Sequence, residues 1–205
     1  MSPTKTKSVV EIQSGAPKGP LASFARRLDP TNSSFRMIHR VQFEQWVPVA
    51  IEKVFRFFAD PNNLPRIMPP EASTRLTALR LLPPPTAPEF PNRESLAGVG
   101  SEIVTSFRLL PFLSFRAQWI ALITEFEWNH HFADIQKRGP FKRFKHRHEF
   151  SAETRDGRRG TLVRDVIEYD PGFGVIGKLA QKLFIGPRLK RTFEYRQKTL
   201  EKLLG

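Results

Sequence analysis

Residues 139–150, GPFKRFKHRHEF, interleave two histidines and three phenylalanines with four Lys/Arg. In an extended strand, residues two apart share a face. Phe144, His146, His148 and Phe150 therefore lie on one side, and Arg143, Lys145, Arg147 and Glu149 on the other. An imidazole held by a carboxylate can present a hydrogen bond or move a proton near neutral pH, so the acids nearby in the chain matter. In the preceding segment, FADIQKRG, the face carrying Phe132, Asp134 and Gln136 is the one the Gly139-Pro140 turn should fold opposite the histidines. In the following TLVRDVIEY, Thr161, Val163, Asp165, Ile167 and Tyr169 share a face, with Arg164 and Glu168 on the other. The region reads as two-faced, with a basic exterior and an aromatic interior studded with His and Asp.

Four chemistries fit His146, His148, Asp134 and Asp165. Buried polar groups must be paired, so the set could be a structural network fixing strand register. It could orient a ligand by presenting donors into an apolar pocket. It could serve acid–base catalysis of cyclisation or dehydration. A His-x-His pair on a strand with a third carboxylate could also hold a metal. No further ligand motif flanks the pair, so no metal and no cofactor is assigned. His130-His131 sits at a turn and is expected to be solvated. GFGVIG (172–177) matches a dinucleotide-binding fingerprint, but the chain ends before the second parallel strand such a site needs. Its glycines are expected to form a strand-to-helix turn.

The elements that must position these residues follow from patterning. The chain has 205 residues, 40% of them hydrophobic, with 18 Phe and no Cys. That is enough for one domain with a sizeable core and excludes disulfides and thiol chemistry. Residues 1–34 are rich in Ser, Thr, Pro, Gly and Lys and are expected to be a disordered basic tail, with a short helical turn around 21–28. FRMIHRVQFEQW alternates as a strand that Pro48 ends. Ile51, Val54, Phe55 and Phe58 then recur at helical spacing. Asp60-Pro61 stops that helix and caps a short second one, ending before Pro69-Pro70. Residues 73–82 form a second strand and the proline-rich stretch 83–91 a loop. A run of antiparallel strands then extends to Asp170. Val175 to Leu204 is helical, its stripe carrying Ile176, Leu179, Ala180 and Leu183, then Leu189, Phe193, Arg196 and Leu200. Gly186-Pro187 is expected to kink or break it. The order predicts an α+β fold, a curved antiparallel sheet of about six or seven strands wrapped around a long C-terminal helix.

EQWVPVAIEKVFRFFADPNNLPRIMPP (44–70) resembles the opening of the START/Bet v 1-like superfamily, the SRPBCC or polyketide cyclase-like proteins. FADIQKRGPFKRFKHRHEF (132–150) and GTLVRDVIEYD (160–170) are similar to its bacterial ligand-binding branch, with the pattern D-x-Q-x-x-G-P-[FY] and H-x-H-x-F. The resemblance covers roughly residues 36–204 and implies a helix-grip fold with a hydrophobic cavity between sheet and helix. Members bind lipids, sterols, quinones or polyketides, and a minority catalyse cyclisation or dehydration. The chain departs from the branch in its long tail and in RAQWIALIT, where the apolar Ile120 and Leu122 suggest a covered outer face and hence self-association.

The reading thus places a START-like domain at 35–205 that binds a small hydrophobic ligand such as a lipid, quinone or polyketide, as carrier or sensor. The expected walls are Trp119, Phe132, Phe144, Phe150, Tyr169 and Phe193, polarised by Asp134, Gln136, His146, His148 and Asp165. The alternative is a cyclase- or dehydratase-like enzyme using His146, His148, Asp134 and Asp165. Lys+Arg 33 against Asp+Glu 20 gives a net charge of +13. Six Lys/Arg fall within 137–148, but the rings lie on inward faces and no groove-reading helix accompanies them. An anionic membrane surface suits a lipid carrier better than a nucleic acid does, and a solvated basic face is expected ahead of either. No apolar run is long enough to span a membrane and no secretory signal opens the chain, so a cytoplasmic location is expected.

Overall fold

The computed structural model describes residues 38–108 and 115–205. The expected tail at 1–34, its helical turn at 21–28, and the strand residues Phe35, Arg36 and Met37 lie outside the described residues, as does the stretch 109–114.

Alternation builds the sheet. In β1 (His39–Val47), Val41, Phe43, Gln45 and Val47 are buried and the residues between them are not. β2 (Arg75–Arg80), β3 (Glu102–Arg108), β4 (Arg116–Glu127), β5 (His131–Arg138), β6 (Arg143–Arg155) and β7 (Arg158–Asp170) follow. All pair antiparallel in the order β1-β7-β6-β5-β4-β3-β2, so the first strand closes onto the last. The register puts Asp134 opposite His146, Phe132 opposite His148, and His148 opposite Asp165.

Between β1 and β2 run α1 (Ile51–Ala59) and two 3-10 helices, Pro61–Ile67 and Pro70–Ala72. α1 turns Val54, Phe55 and Ala59 inward. Asp60 accepts from the Asn62 backbone N–H at 3.0 Å, and Pro61 occupies the first position of the helix that follows. The turn at 70–72 was not expected; Pro70, with its fixed φ, starts it instead of merely ending its predecessor.

After β7, Gly172, Phe173 and Gly174 take φ of 77°, 58° and 53°. That is the left-handed region glycine adopts without cost, so GFGVIG is a strand-to-helix turn. The C-terminal helix then runs as α2 (Gly174–Ala180), a π-helical turn Gln181–Ile185 and α3 (Gly186–Leu204). The expected break is a widened turn, in which Gly186 N–H bonds Gln181 O ahead of Pro187. α3 sits on β1. Phe193 stacks on Phe43 with centroids 4.2 Å apart. Gln45 Nε2 donates to Gln197 O at 2.8 Å, and Gln197 Nε2 donates to Glu44 O at 3.0 Å. Phe193, Arg196, Leu200 and Leu204 form its buried stripe.

α2 differs from the sequence expectation. Ile176, Leu179 and Leu183, expected inward, are 75%, 58% and 54% exposed. α2 contacts chiefly the π-turn that follows it, whereas α3 packs on β1 and the first 3-10 helix. The helix outruns its support and overhangs the interior.

The basic outer face of β6 is paired across strands. Lys145 bonds Glu125 at 2.6 Å, Arg147 pairs with Glu125 and Glu149, and Arg164 bridges Glu44 and Glu149. Exposed pairs of this kind contribute little stability, about 0–1 kcal/mol each, but they neutralise much of what the sequence presents as a cationic stripe. Among the described residues no helix is long and apolar enough to cross a membrane.

Candidate ligand-binding cavity

A cavity of about 490 Å³ lies between the sheet and the C-terminal helix. Trp119, Ala121 and Ile123 reach it from β4, and a register shift between Ile123 and Glu125 then changes which residues point inward. Beyond that bulge Phe126 and Trp128 turn toward Phe55, with centroids at 5.3 Å and 5.7 Å. Neither residue was expected to point inward.

Of the expected wall residues, Trp119, Phe132, Phe144 and Phe193 line the cavity, together with Asp134, His146 and His148. The others lie elsewhere. Gln136 is spent on the hairpin, donating from Nε2 to Phe141 O at 2.6 Å while its Oε1 accepts from Phe141 N–H at 3.1 Å. Phe150 packs against Phe55 in the cluster under α1. Tyr169 is buried beside Phe43 and Phe193 and accepts from Gln181 Nε2 at 3.0 Å. Asp165 sits behind the histidines, off the wall. His130 is exposed, whereas His131, expected to be solvated with it, is half-buried against Glu125 and Glu127 at the outer face.

The two acids have different surroundings. Asp165 Oδ1 lies 2.9 Å from His146 Nε2. His148 Nδ1 approaches the same oxygen at 2.6 Å, without the alignment of a normal hydrogen bond. Burial acts to raise the Asp165 pKa, yet the charge of Arg196 and the bond to His146 act against it, and the carboxyl lies well below its usual range. An ionised Asp165 can only accept. His146 therefore donates from Nε2, and in its neutral form keeps a basic Nδ1. Burial, reinforced by His146, pushes His148 down to about 3, so it is neutral at physiological pH.

Asp134 was expected to hold an imidazole. It makes no side-chain hydrogen bond among the described residues and borders the cavity instead. Its partial exposure is to this enclosed space, and burial raises its pKa to about 6 against the pull of His146 and Arg196. The cross-strand register brings Asp134 beside His146, but Asp165 on the other neighbouring strand has already taken that ring.

The residue that sequence reading left among the apolar stripe is Arg196. It is 6% exposed, borders the cavity, and lies 4.8 Å from the Phe193 ring centroid and 5.7 Å from that of Phe58. The signal was present: an arginine three residues after Phe193 and four before Leu200 must share their face. Asp134, His146 and His148 also form the group able to offer a metal three ligand atoms, all within 4.8 Å of one another. The Arg196 guanidinium facing the same space opposes a cation there.

No family model and no curated protein matches the chain. Solved structures do. A START superfamily protein from Mycobacterium smegmatis aligns at 14% identity with a TM-score of 0.52, covering 80% of this chain and 96% of that one. The major latex-like protein 151 of Panax ginseng aligns at 11% identity and TM-score 0.54, covering 82% and 97%. A protein from Thermus thermophilus aligns at 18% identity and TM-score 0.51, covering 80% and 94%. With its seven-stranded sheet gripping one long helix, the chain has the helix-grip fold of the START and Bet v 1-like proteins.

Proposed function

We propose that the protein binds a small hydrophobic molecule non-covalently in this cavity, as a carrier or sensor of a lipid, quinone or polyketide. The cavity itself carries the reading. Protein interiors pack to the density of organic crystals, so about 490 Å³ left open among Trp119, Phe144, Ile123 and Ile167 is a binding volume of ordinary size for a small ligand. The rim supports the reading. Phe173, Val175, Ile176, Leu179, Leu183 and Phe184 are each more than half exposed, and Phe173 and Ile176 also line the cavity. An apolar lip on a protein of net charge +13 suits transfer at an anionic membrane surface. A second copy of the chain is the competing occupant of that lip, and sedimentation with and without anionic vesicles separates the two.

A cyclase- or dehydratase-like activity is the second reading, favoured by the bond between Asp165 and His146, which leaves an oriented imidazole on the cavity wall. Native mass spectrometry and solvent extraction of the purified full chain test the pair. A carrier releases a co-purified hydrophobic molecule unchanged. An enzyme converts it, and a chain that retains no such molecule and takes up none contradicts both.

A further inference from the structure

We infer that the ligand carries an acidic oxygen group, a carboxylate or an equivalent oxyanion, and binds head-inward with that group on Arg196 and its apolar part toward the rim at Phe173 and Ile176. This deepens the ligand-binding reading and rests on it.

A guanidinium has five N–H donors and stays charged in proteins. Buried donors in folded proteins are almost always paired. Arg196 is only 6% exposed, yet its interactions among the described residues are ring contacts with Phe193 and Phe58 and the more distant charges of Asp134 and Asp165. It makes neither a hydrogen bond nor an ion pair there, and its Nε is buried without a partner. Burial works against its charge, so the fold maintains a cation with unspent donors in the wall of an apolar chamber. The guanidinium lies over the Phe193 ring, and Phe193 is itself stacked on Phe43, so the fork is held in place. A planar fork held in place matches a carboxylate bidentately.

The rest of the site agrees. Asp165 is committed to His146, so it does not compete for the fork. Asp134 borders the same space, and a bound anion beside it would raise its carboxyl further above about 6, so that the protonated form donates a hydrogen bond to the ligand. Exposure runs from 75% at Ile176 to 6% at Arg196 along one helix. Those residues are about 30 Å apart at the helical rise of ~1.5 Å per residue. The groove is wet and apolar at one end, dry and cationic at the other.

The test is a displacement titration of the full chain with a neutral hydrophobic fluorophore, competed by a long-chain fatty acid, its methyl ester and its primary alcohol. The acid is expected to bind about tenfold or more tightly than ester or alcohol. Arg196→Gln should remove that preference while ester and alcohol affinities hold, and Arg196→Lys should restore part of it. Equal affinities for acid, ester and alcohol in the unaltered chain overturn the inference and leave hydrophobic binding standing, whether or not the variants fold. Equal loss of all three ligands in Arg196→Gln, with a lowered Tm, makes Arg196 a structural counter-charge and also overturns it. If the fluorophore itself finds no site, the ligand-binding reading falls first.

Discussion

The two ends of the interior are built differently from similar residues. Under α1, Phe55 meets the rings of Phe90, Phe126, Trp128, Phe132 and Phe150. Val54, Phe55 and Leu96 have no exposure at all. At the other end Trp119, Phe141 and Phe144 touch one another yet stand around open space, and α2 leaves its apolar side chains in solvent. A chain with 18 Phe could have filled both ends. Apolar surface left wet is a loss of roughly 25 cal/mol per Å², so the open end is retained at a cost in stability, while the filled end supplies the stability to bear it.

That contrast can be broken most severely at Phe55. Phe55→Ala should cost about 3–5 kcal/mol by opening a void among five rings, seen as a large fall in the urea midpoint. A loss below about 1 kcal/mol would show that the closed end does not carry the fold. Next comes Asp165→Ala, which strips His146 of its acceptor; about 1–3 kcal/mol is expected. The double variant with His146→Ala should lose less than the sum of the singles.

The third effect is comparable in size and has the opposite sign. Asp134 holds a proton up to about pH 6 in the folded chain, against an ordinary value of 3.8. Between those values the folded form binds a proton that the unfolded chain has released. Stability from this group is therefore present at low pH and lost as pH rises through about 6. His148, depressed to about 3, acts in the reverse sense over an overlapping window. Comparing the unaltered chain with Asp134→Asn isolates the first group. The unaltered chain should weaken relative to the variant as pH rises from about 4 to about 6 and stay offset above it. Parallel curves would mean that Asp134 is solvated. The smallest effect on stability is at the lip: Leu179→Ser with Phe184→Ser should change it by no more than about 0.5 kcal/mol. The same pair should reduce co-sedimentation with anionic vesicles several-fold; unchanged sedimentation would remove the membrane from the account.

Strand faces were legible because alternation has a period of two and errors would flip whole sets. His146, His148 and Asp165 fell where their parity put them. What escaped had physical causes that patterning does not carry. The bulge in β4 changed parity and brought Phe126 and Trp128 inward. Gln136 was drawn off the wall by the backbone of its own hairpin. The stripe of α2 looks like that of α3, but periodicity says which residues share a face, not whether anything lies opposite. Arg196 stands in that pattern as its one charged exception, and its charge, not its spacing, is the signal of a site.

The most direct test is methyl NMR of the full chain titrated with a long-chain fatty acid. Ile103, Ile123 and Ile167 line the cavity, whereas Val54 and Leu96 lie in the closed end. An internal site gives shifts at the three isoleucines that saturate at one equivalent, with Val54 and Leu96 nearly still. Shifts confined to the exposed methyls of Val175, Leu179 and Leu183, or spread without saturation, would contradict an internal binding site.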